Sequence, residues 1–276
     1  MSGRLYMVST PIGNLGDFSH RAAETLRSVA VIACEDTRHT RRLLQHYDIQ
    51  SPTVSLHAHT SEATMEKLLS RVEAGEDVAY VTDAGTPGIS DPGGLLAEKA
   101  HRRGLKVVPI PGPGAVLAAL AATGFPADRF IFLGFLPRKG VAREELLTVV
   151  ADSPITAVCY EAPGRTPALL RDLEGRCGPA REAAVARELT KLHEEIRRGT
   201  LDELRTYYEE HPPRGEVTIV VGARPAADST APVDEADTAA LVAELKGTGS
   251  PTVVAKELAR RLGIARQEAY RLLTSR

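Results

Sequence analysis

Charged and imidazole side chains cluster in this chain directly after short apolar runs. Cys34-Glu35-Asp36-Thr37-Arg38 follows one run, His57-Ala58-His59 a second, Tyr160-Glu161-Ala162-Pro163-Gly164-Arg165 a third and Arg187-Glu188-Leu189-Thr190-Lys191 a fourth. Carboxylates and imidazoles are the residue types that move protons, and guanidinium forks grip oxyanions. Each cluster also has a plain structural reading. Glu35 and Asp36 at the start of a helix would be stabilised by its dipole. Arg38 and Arg165 would serve equally well in structural ion pairs. His57 and His59 point to one side of an extended segment, but no third ligand accompanies them and no metal is expected.

A second group of residues repeats the same placement without charge. Thr10-Pro11-Ile12-Gly13-Asn14-Leu15-Gly16-Asp17, the run 82–93 (TDAGTPGISDPG) and Pro109-Ile110-Pro111-Gly112-Pro113-Gly114-Ala115 each follow an apolar run. Glycine lets a backbone approach a ligand closely and proline holds a loop rigid. None of the three fits GxxxxGK[ST], and Leu117 stands where GxGxxG would need its third glycine, so a phosphate-cradling nucleotide fold is disfavoured. Three such loops at strand ends favour a bound ligand over three ordinary turns.

The elements that must position these groups are legible as alternating patterns. Candidate strands are residues 5–9, 29–34, 54–56, 78–82 and 107–110, then 130–134, 156–160, 184–187 and 217–221, with helical periodicity between them. Strands separated by helices predict βαβ units and a mostly parallel sheet. With 276 residues, 43% apolar and 25% charged, the chain is long enough for two such domains. The expected division is an N-terminal α/β domain over 1–124 and a C-terminal α/β domain over 125–222. A polar, proline-interrupted linker over 223–240 follows, then a helical module over 241–276. Gly263 interrupts the apolar seam Val254/Leu258/Leu262 as in a helix-turn-helix, and seven Lys or Arg against three Glu give this module a charge of +4. The N-terminus has no cleavable apolar segment, no run approaches the ~20 residues of a membrane span, and three widely spaced cysteines fit no disulfide framework. A cytoplasmic protein is expected.

Taken together, STPIGNLGD, ACEDTR, VTDAGTPGISDPG, PIPGPGA, YEAPGR and ARELTKLHEE resemble, in order and spacing, the bacterial ribosomal RNA small-subunit methyltransferase I family of the tetrapyrrole methylase superfamily. The resemblance covers about residues 4–222. It implies two α/β domains with S-adenosylmethionine in a cleft between them, 2′-O-methylation of a cytidine in 16S ribosomal RNA, and a homodimer. The cofactor would be held by Pro11, Ile12, Gly13 and Asn14 in the first loop, and by Asp83, Gly85, Thr86, Pro87, Ile89 and Ser90 in the second. Pro113, Gly114 and Ala115 in the third loop, with Tyr160, Ala186 and Arg187, would complete the site. A ribose hydroxyl is a weak nucleophile, and Glu35, Asp36, His57 and Glu161 are the candidates to take its proton. Arg38 and Arg165, with Arg260, Arg261 and Arg266 of the helical module, are the candidate RNA contacts.

The chain departs from the family pattern at Gly114, where serine is usual, at Ala162-Pro163-Gly164-Arg165, where Ser-Pro-His-Arg is usual, and at His57-Ala58-His59-Thr60, where His-Glu-His-Asn is usual. Roles that need those side chains do not carry over. Two other readings fit parts of the sequence: a methylase of tetrapyrrole precursors on the same scaffold, and a non-catalytic, ligand-sensing DNA-binding regulator built around residues 251–273.

Overall fold

Short β-branched runs flanked by helices build a five-stranded sheet from β1 (Arg4–Val8), β2 (Val31–Cys34), β3 (Thr53–Ser55), β4 (Val78–Val81) and β5 (Lys106–Ile110). Its order is β3-β2-β4-β1-β5 and every pairing is parallel. The central strands β2 and β4 are buried along their whole length, because helices cover both faces. Alternate residues feed two separate cores. Val8, Ile32 and Val81 face one with Leu26 and Leu43, from α1 (His20–Ser28) and α2 (Thr37–His46). Leu5, Val31 and Tyr80 face the other with Leu69 and Leu96, from α3 (Glu62–Glu73) and α4 (Gly93–Arg102). The computed structural model describes residues 2–57, 62–225, 241–245, 250–262 and 266–274.

After β5 the chain forms α5 (Ala115–Thr123), which is rich in alanine and has no charged residue. Its Val116, Ala119 and Leu120 leave the first sheet and pack on a second one. That sheet contains β6 (Phe130–Phe135), β7 (Thr156–Glu161), β8 (Glu182–Arg187), β9 (Glu195–Thr200) and β10 (Val217–Val221) in the order β6-β7-β10-β8-β9. The helices α6 (Val141–Asp152), α7 (Thr166–Cys177) and α8 (Leu201–Glu210) cover its other face through Leu147, Leu169, Leu173, Leu204 and Tyr208.

The expectation of mostly parallel pairing holds for the first sheet and fails for the second. Only β6 and β7 run parallel; β10 lies antiparallel between β7 and β8, and β9 is antiparallel to β8. The short connection from β8 to β9 has no room for a crossover helix, so the chain must reverse. Strand β9 has no counterpart among the sequence-predicted strands. Its sequence EIRRGT lacks an apolar alternation because it is an edge strand, where charged residues block further pairing.

Met1–Ala223 forms one compact unit that holds both sheets, and Arg224–Arg276 forms another. In the latter, helices Pro251–Leu262 and Arg266–Thr274 pack through Val254, Leu258 and Ala269, as the predicted seam requires. The side chains of Arg260, Arg261, Leu262 and Arg266 lie outside the described residues. Among the described residues no helix is long and apolar enough to cross a membrane. The three cysteines are free, and burial pushes the Cys159 thiol up to about 12.

Helix α8 starts with a capping box. Glu203 N donates to Thr200 Oγ1 (3.2 Å) and Thr200 N donates to Glu203 Oε2 (2.8 Å). Thr200→Ala should therefore lower unfolding stability by about 1 kcal/mol, measured by urea denaturation, with the fold unchanged. An unaltered midpoint would mean that the packing of α8 makes its cap redundant.

Candidate active site

Strands β4, β1 and β5 are neighbours, so their carboxyl ends bring loops 82–93, 9–17 and 111–114 to one end of the first sheet. The loops are then tied to one another. Thr10 N donates to Gly85 O (2.9 Å) and Gly85 N returns a bond to Thr10 O (3.1 Å). Gly85 makes this contact at φ +84°, a conformation that only glycine adopts without strain. The Thr86 hydroxyl donates to Pro113 O (3.2 Å), joining the second loop to the third. Within the long loop Asp91 is the organiser: its carboxylate accepts from Gly88 N (2.9 Å), Gly93 N (2.6 Å) and the buried Tyr80 hydroxyl (3.3 Å).

These loops form one wall of a cavity of about 700 Å³, within the roughly 300–1,000 Å³ of small-molecule sites. Ile12, Asp83, Gly85, Thr86, Ile89, Ser90, Gly114, Ala115 and Tyr160 all line it. Pro11 and Gly13 line an adjoining cleft instead. Asn14, Pro87 and Pro113 belong to the same loops but line neither space. Ala186 is buried in the core beneath the cavity. Arg187, its neighbour along β8, faces the other side of the sheet and pairs with Glu195 (2.7 Å).

The second wall is aromatic and went unread in the sequence. Phe130, Phe132 and Phe135 of β6 line it, and the Phe132 and Phe135 rings lie 4.9 and 5.3 Å from that of Tyr160. Residues three apart in a regular strand point to opposite faces, but the register slips between Phe132 and Phe135, and Gly134 takes φ +63°. The glycine inside FLGF was the available signal of a bulge. Residues 215–218, leading into β10, complete the wall. Three of the large apolar side chains left exposed, Ile89, Leu117 and Phe135, converge here, which marks a surface meant to be covered.

The charge of the cavity is one-sided. Asp83, Glu161 and Glu216 line it, and none of its described lining residues is Lys, Arg or His. Asp83 and Glu216, together with Ile12, Thr82 and Ala84, also line the adjoining cleft of about 260 Å³. Asp83 is held at this junction by Asp36 N, which donates to its Oδ1 (3.1 Å).

The four proton-acceptor candidates separate. Glu35 sits behind the junction, accepting from the Thr82 hydroxyl (2.7 Å) and Asp83 N (3.4 Å). Burial pushes its carboxyl above the usual range, against those two hydrogen bonds. Asp36 caps α2, and the hydrogen bond from the Arg38 guanidinium holds its carboxyl well below the usual range. Glu161 reaches the cavity but is buried, accepting from Ala162 N (2.8 Å) and paired with Arg165. His57 is exposed beyond β3 and lines neither space, while His59 lies outside the described residues. Arg38 and Arg165 are thus both in ion pairs, and Arg38 remains open to solvent.

Residues 4–205 match the model of the tetrapyrrole (corrin/porphyrin) methylase family. Solved structures agree on the fold. Uroporphyrin-III C-methyltransferase from Thermus thermophilus, complexed with S-adenosyl homocysteine, superposes with a TM-score of 0.57 at 21% identity, over 80% of this chain and 97% of that one. A cobalt precorrin-4 methyltransferase reaches 0.60 at 19%, over 79% and 94%. The chain belongs to the tetrapyrrole methylase family. Its curated relatives are more specific. The ribosomal RNA small subunit methyltransferase I of Synechocystis sp. is 49% identical over 224 residues, 81% of this chain and 80% of that protein. That of Mesorhizobium japonicum is 42% identical over 271 residues, 98% and 90%. Within the larger family, the chain is a member of the ribosomal RNA small subunit methyltransferase I group.

If Asp91 holds the long loop in shape, Asp91→Ala should speed amide hydrogen exchange at Gly88 and Gly93 while the amides of β1 and β4 stay protected. Equal protection of the loop in variant and wild type would remove Asp91 from this role.

Proposed function

We propose that this chain transfers a methyl group from S-adenosylmethionine to the ribose 2′-hydroxyl of a cytidine in 16S ribosomal RNA, acting on the small subunit in the cytoplasm as a homodimer. The observation that carries the cofactor is the composition of the cavity. S-adenosylmethionine brings a positively charged sulfonium, an amine and a flat purine, and when bound it supplies an electrophilic methyl group. The acidic lining, in which Asp83 has no ion pair among the described residues, suits the positive centres, and the aromatic wall with Ile89 and Leu117 suits the purine. The residues present fit the group.

The remaining work is positional. The rigid, cross-tied loops 9–17, 82–93 and 111–114 fix the donor. The acceptor oxygen needs a base that faces both the cavity and the space outside it, and Asp83 occupies that junction. We assign to Asp83 the role of base: its carboxylate would take the proton of the ribose hydroxyl, to which a bound S-adenosylmethionine would supply the methyl group. Glu35 and Asp36 act through Asp83: Glu35 accepts from Thr82 and Asp83 N, and Asp36 N donates to the Asp83 carboxylate. Glu161, neutralised by Arg165, shapes the opposite wall.

Labelled methyl transfer to isolated small ribosomal subunits, followed by nucleoside analysis, tests the reading directly. The expected product is 2′-O-methylcytidine; label in a base, or equal transfer to a tetrapyrrole, would sink it. Asp83→Asn should lower kcat by about 10²-fold or more, a larger factor than the accompanying rise in cofactor Kd. A loss confined to cofactor affinity would make Asp83 a binding residue only.

The basic helical module is assigned a supporting hold on the RNA through Arg260, Arg261 and Arg266. A chain of net charge −2 must concentrate positive charge locally to approach a polyanion. Truncation after Ala240 should raise KM for the ribosomal substrate and leave the cofactor Kd unchanged. Unaltered KM would make the module a structural hairpin.

A further inference from the structure

Helix α2 is the most one-sidedly charged element on this face. Its ten residues include Arg38, His39, Arg41, Arg42 and His46 and no carboxylate. Asp36 neutralises Arg38 through a two-pronged contact at 3.1 and 2.7 Å. His39 and Arg42, one helical turn apart, lie on a common face and line the cleft that adjoins the cavity. Across the cleft stands Lys191, whose Nζ is held between Glu188 and Glu216 at 2.8 Å each. Arg42 is exposed, and among the described residues it has neither an ion pair nor a hydrogen bond.

We propose that this cleft is the docking site for the phosphodiester backbone of the acceptor strand, with Arg42 as its principal anion contact. The inference rests on the reading of the protein as an RNA methyltransferase and adds the path by which the RNA arrives. The neighbouring cavity offers a polyanion no basic side chain among its described lining residues, which include the carboxylates of Asp83, Glu161 and Glu216, the last two paired with Arg165 and Lys191. The cleft, unlike the cavity, has basic side chains at its rim, Arg42 and His39, and it meets the cavity along Ile12, Thr82, Asp83, Ala84 and Glu216. A strand lying over Arg42 and His39 therefore presents a ribose to Asp83 with its phosphates on the cationic side. Arg42 is the only arginine among the described residues that line the cleft, and it has no ion pair among them to break in bonding a phosphate bidentately. Arg38 and Arg165, which the sequence suggested for this role, would each have to release a carboxylate first.

The test is RNA binding by the full chain, read by fluorescence anisotropy with a single-stranded oligonucleotide of 16S sequence at several salt concentrations. Arg42→Ala and Arg42→Glu are compared with Lys106→Glu, which places a similar charge change at the opposite end of the first sheet. Arg42→Glu should weaken binding about tenfold or more at low salt and reduce the slope of log affinity against log salt by about one. Arg42→Lys should restore most of the affinity, since the point charge remains. Lys106→Glu should change neither quantity, and all variants should keep the wild-type cofactor Kd. Wild-type affinity and salt slope in Arg42→Glu, or no RNA binding by the wild type, overturns the assignment of the cleft. Arg42-dependent binding without methyl transfer to the small subunit would instead sink the catalytic reading and leave the cleft standing.

Discussion

Two backbone hydrogen bonds between Thr10 and Gly85 hold the working end of the molecule together. Each loop begins at the end of its own strand, and parallel strands alone bring such loops only into the same neighbourhood. The Thr10–Gly85 bridge fixes the first loop to the second, and Thr86 on Pro113 then fixes the second to the third. The left-handed turn at Gly85, φ +84°, makes the bridge possible, because a residue with a Cβ would be strained in that conformation. Asp91 closes the arrangement by satisfying two loop amides at once.

Electrostatics divides the two spaces that meet at Asp83. On one side, carboxylates and aromatic rings make a site for a compact, positively charged ligand. On the other, Arg42 and His39 of α2 make a rim for an anion. A net charge of −2 conceals this local division, since α2 carries basic residues and no carboxylate while the hollow beside it is lined by carboxylates. Such sorting keeps donor and acceptor from competing for one site and leaves a single carboxylate-bearing boundary where they meet.

Much of this was legible in the sequence, because Gly/Pro loops and β-branched runs are local signals. The three loops, the parallel first sheet and the seam of Val254 and Leu258 follow from residue type and spacing alone. The aromatic wall was not, since Phe132 and Phe135 reach one side only through a bulge that periodicity counts against. Strand β9 escaped because an edge strand is written in charged residues. Arg38 and Arg165 looked available as phosphate contacts until the fold set each beside a carboxylate, one two residues away and one four. Arg42, among five basic residues of one helix, is distinguished by lining the cleft without a carboxylate partner among the described residues.

The turn after β8 shows how the second sheet keeps its place against the first. Glu188 and Thr190 adopt φ +51° and +68°, left-handed values that cost a non-glycine residue on the order of 1–3 kcal/mol in strain. The turn repays that cost through its bonds: Thr190 N donates to Glu194 Oε2 (2.6 Å), Glu216 N donates to Glu188 Oε1 (3.1 Å) and Asn14 N donates to Thr190 Oγ1 (3.1 Å). The last of these reaches the first cofactor loop, where Gly13 lies so close to the Lys191 stem that a Cβ would collide with it. The strained turn therefore does two things with adjacent residues. Thr190 fastens the 9–17 loop through Asn14 N, and Lys191 lines the cleft beside that loop, so one turn braces both.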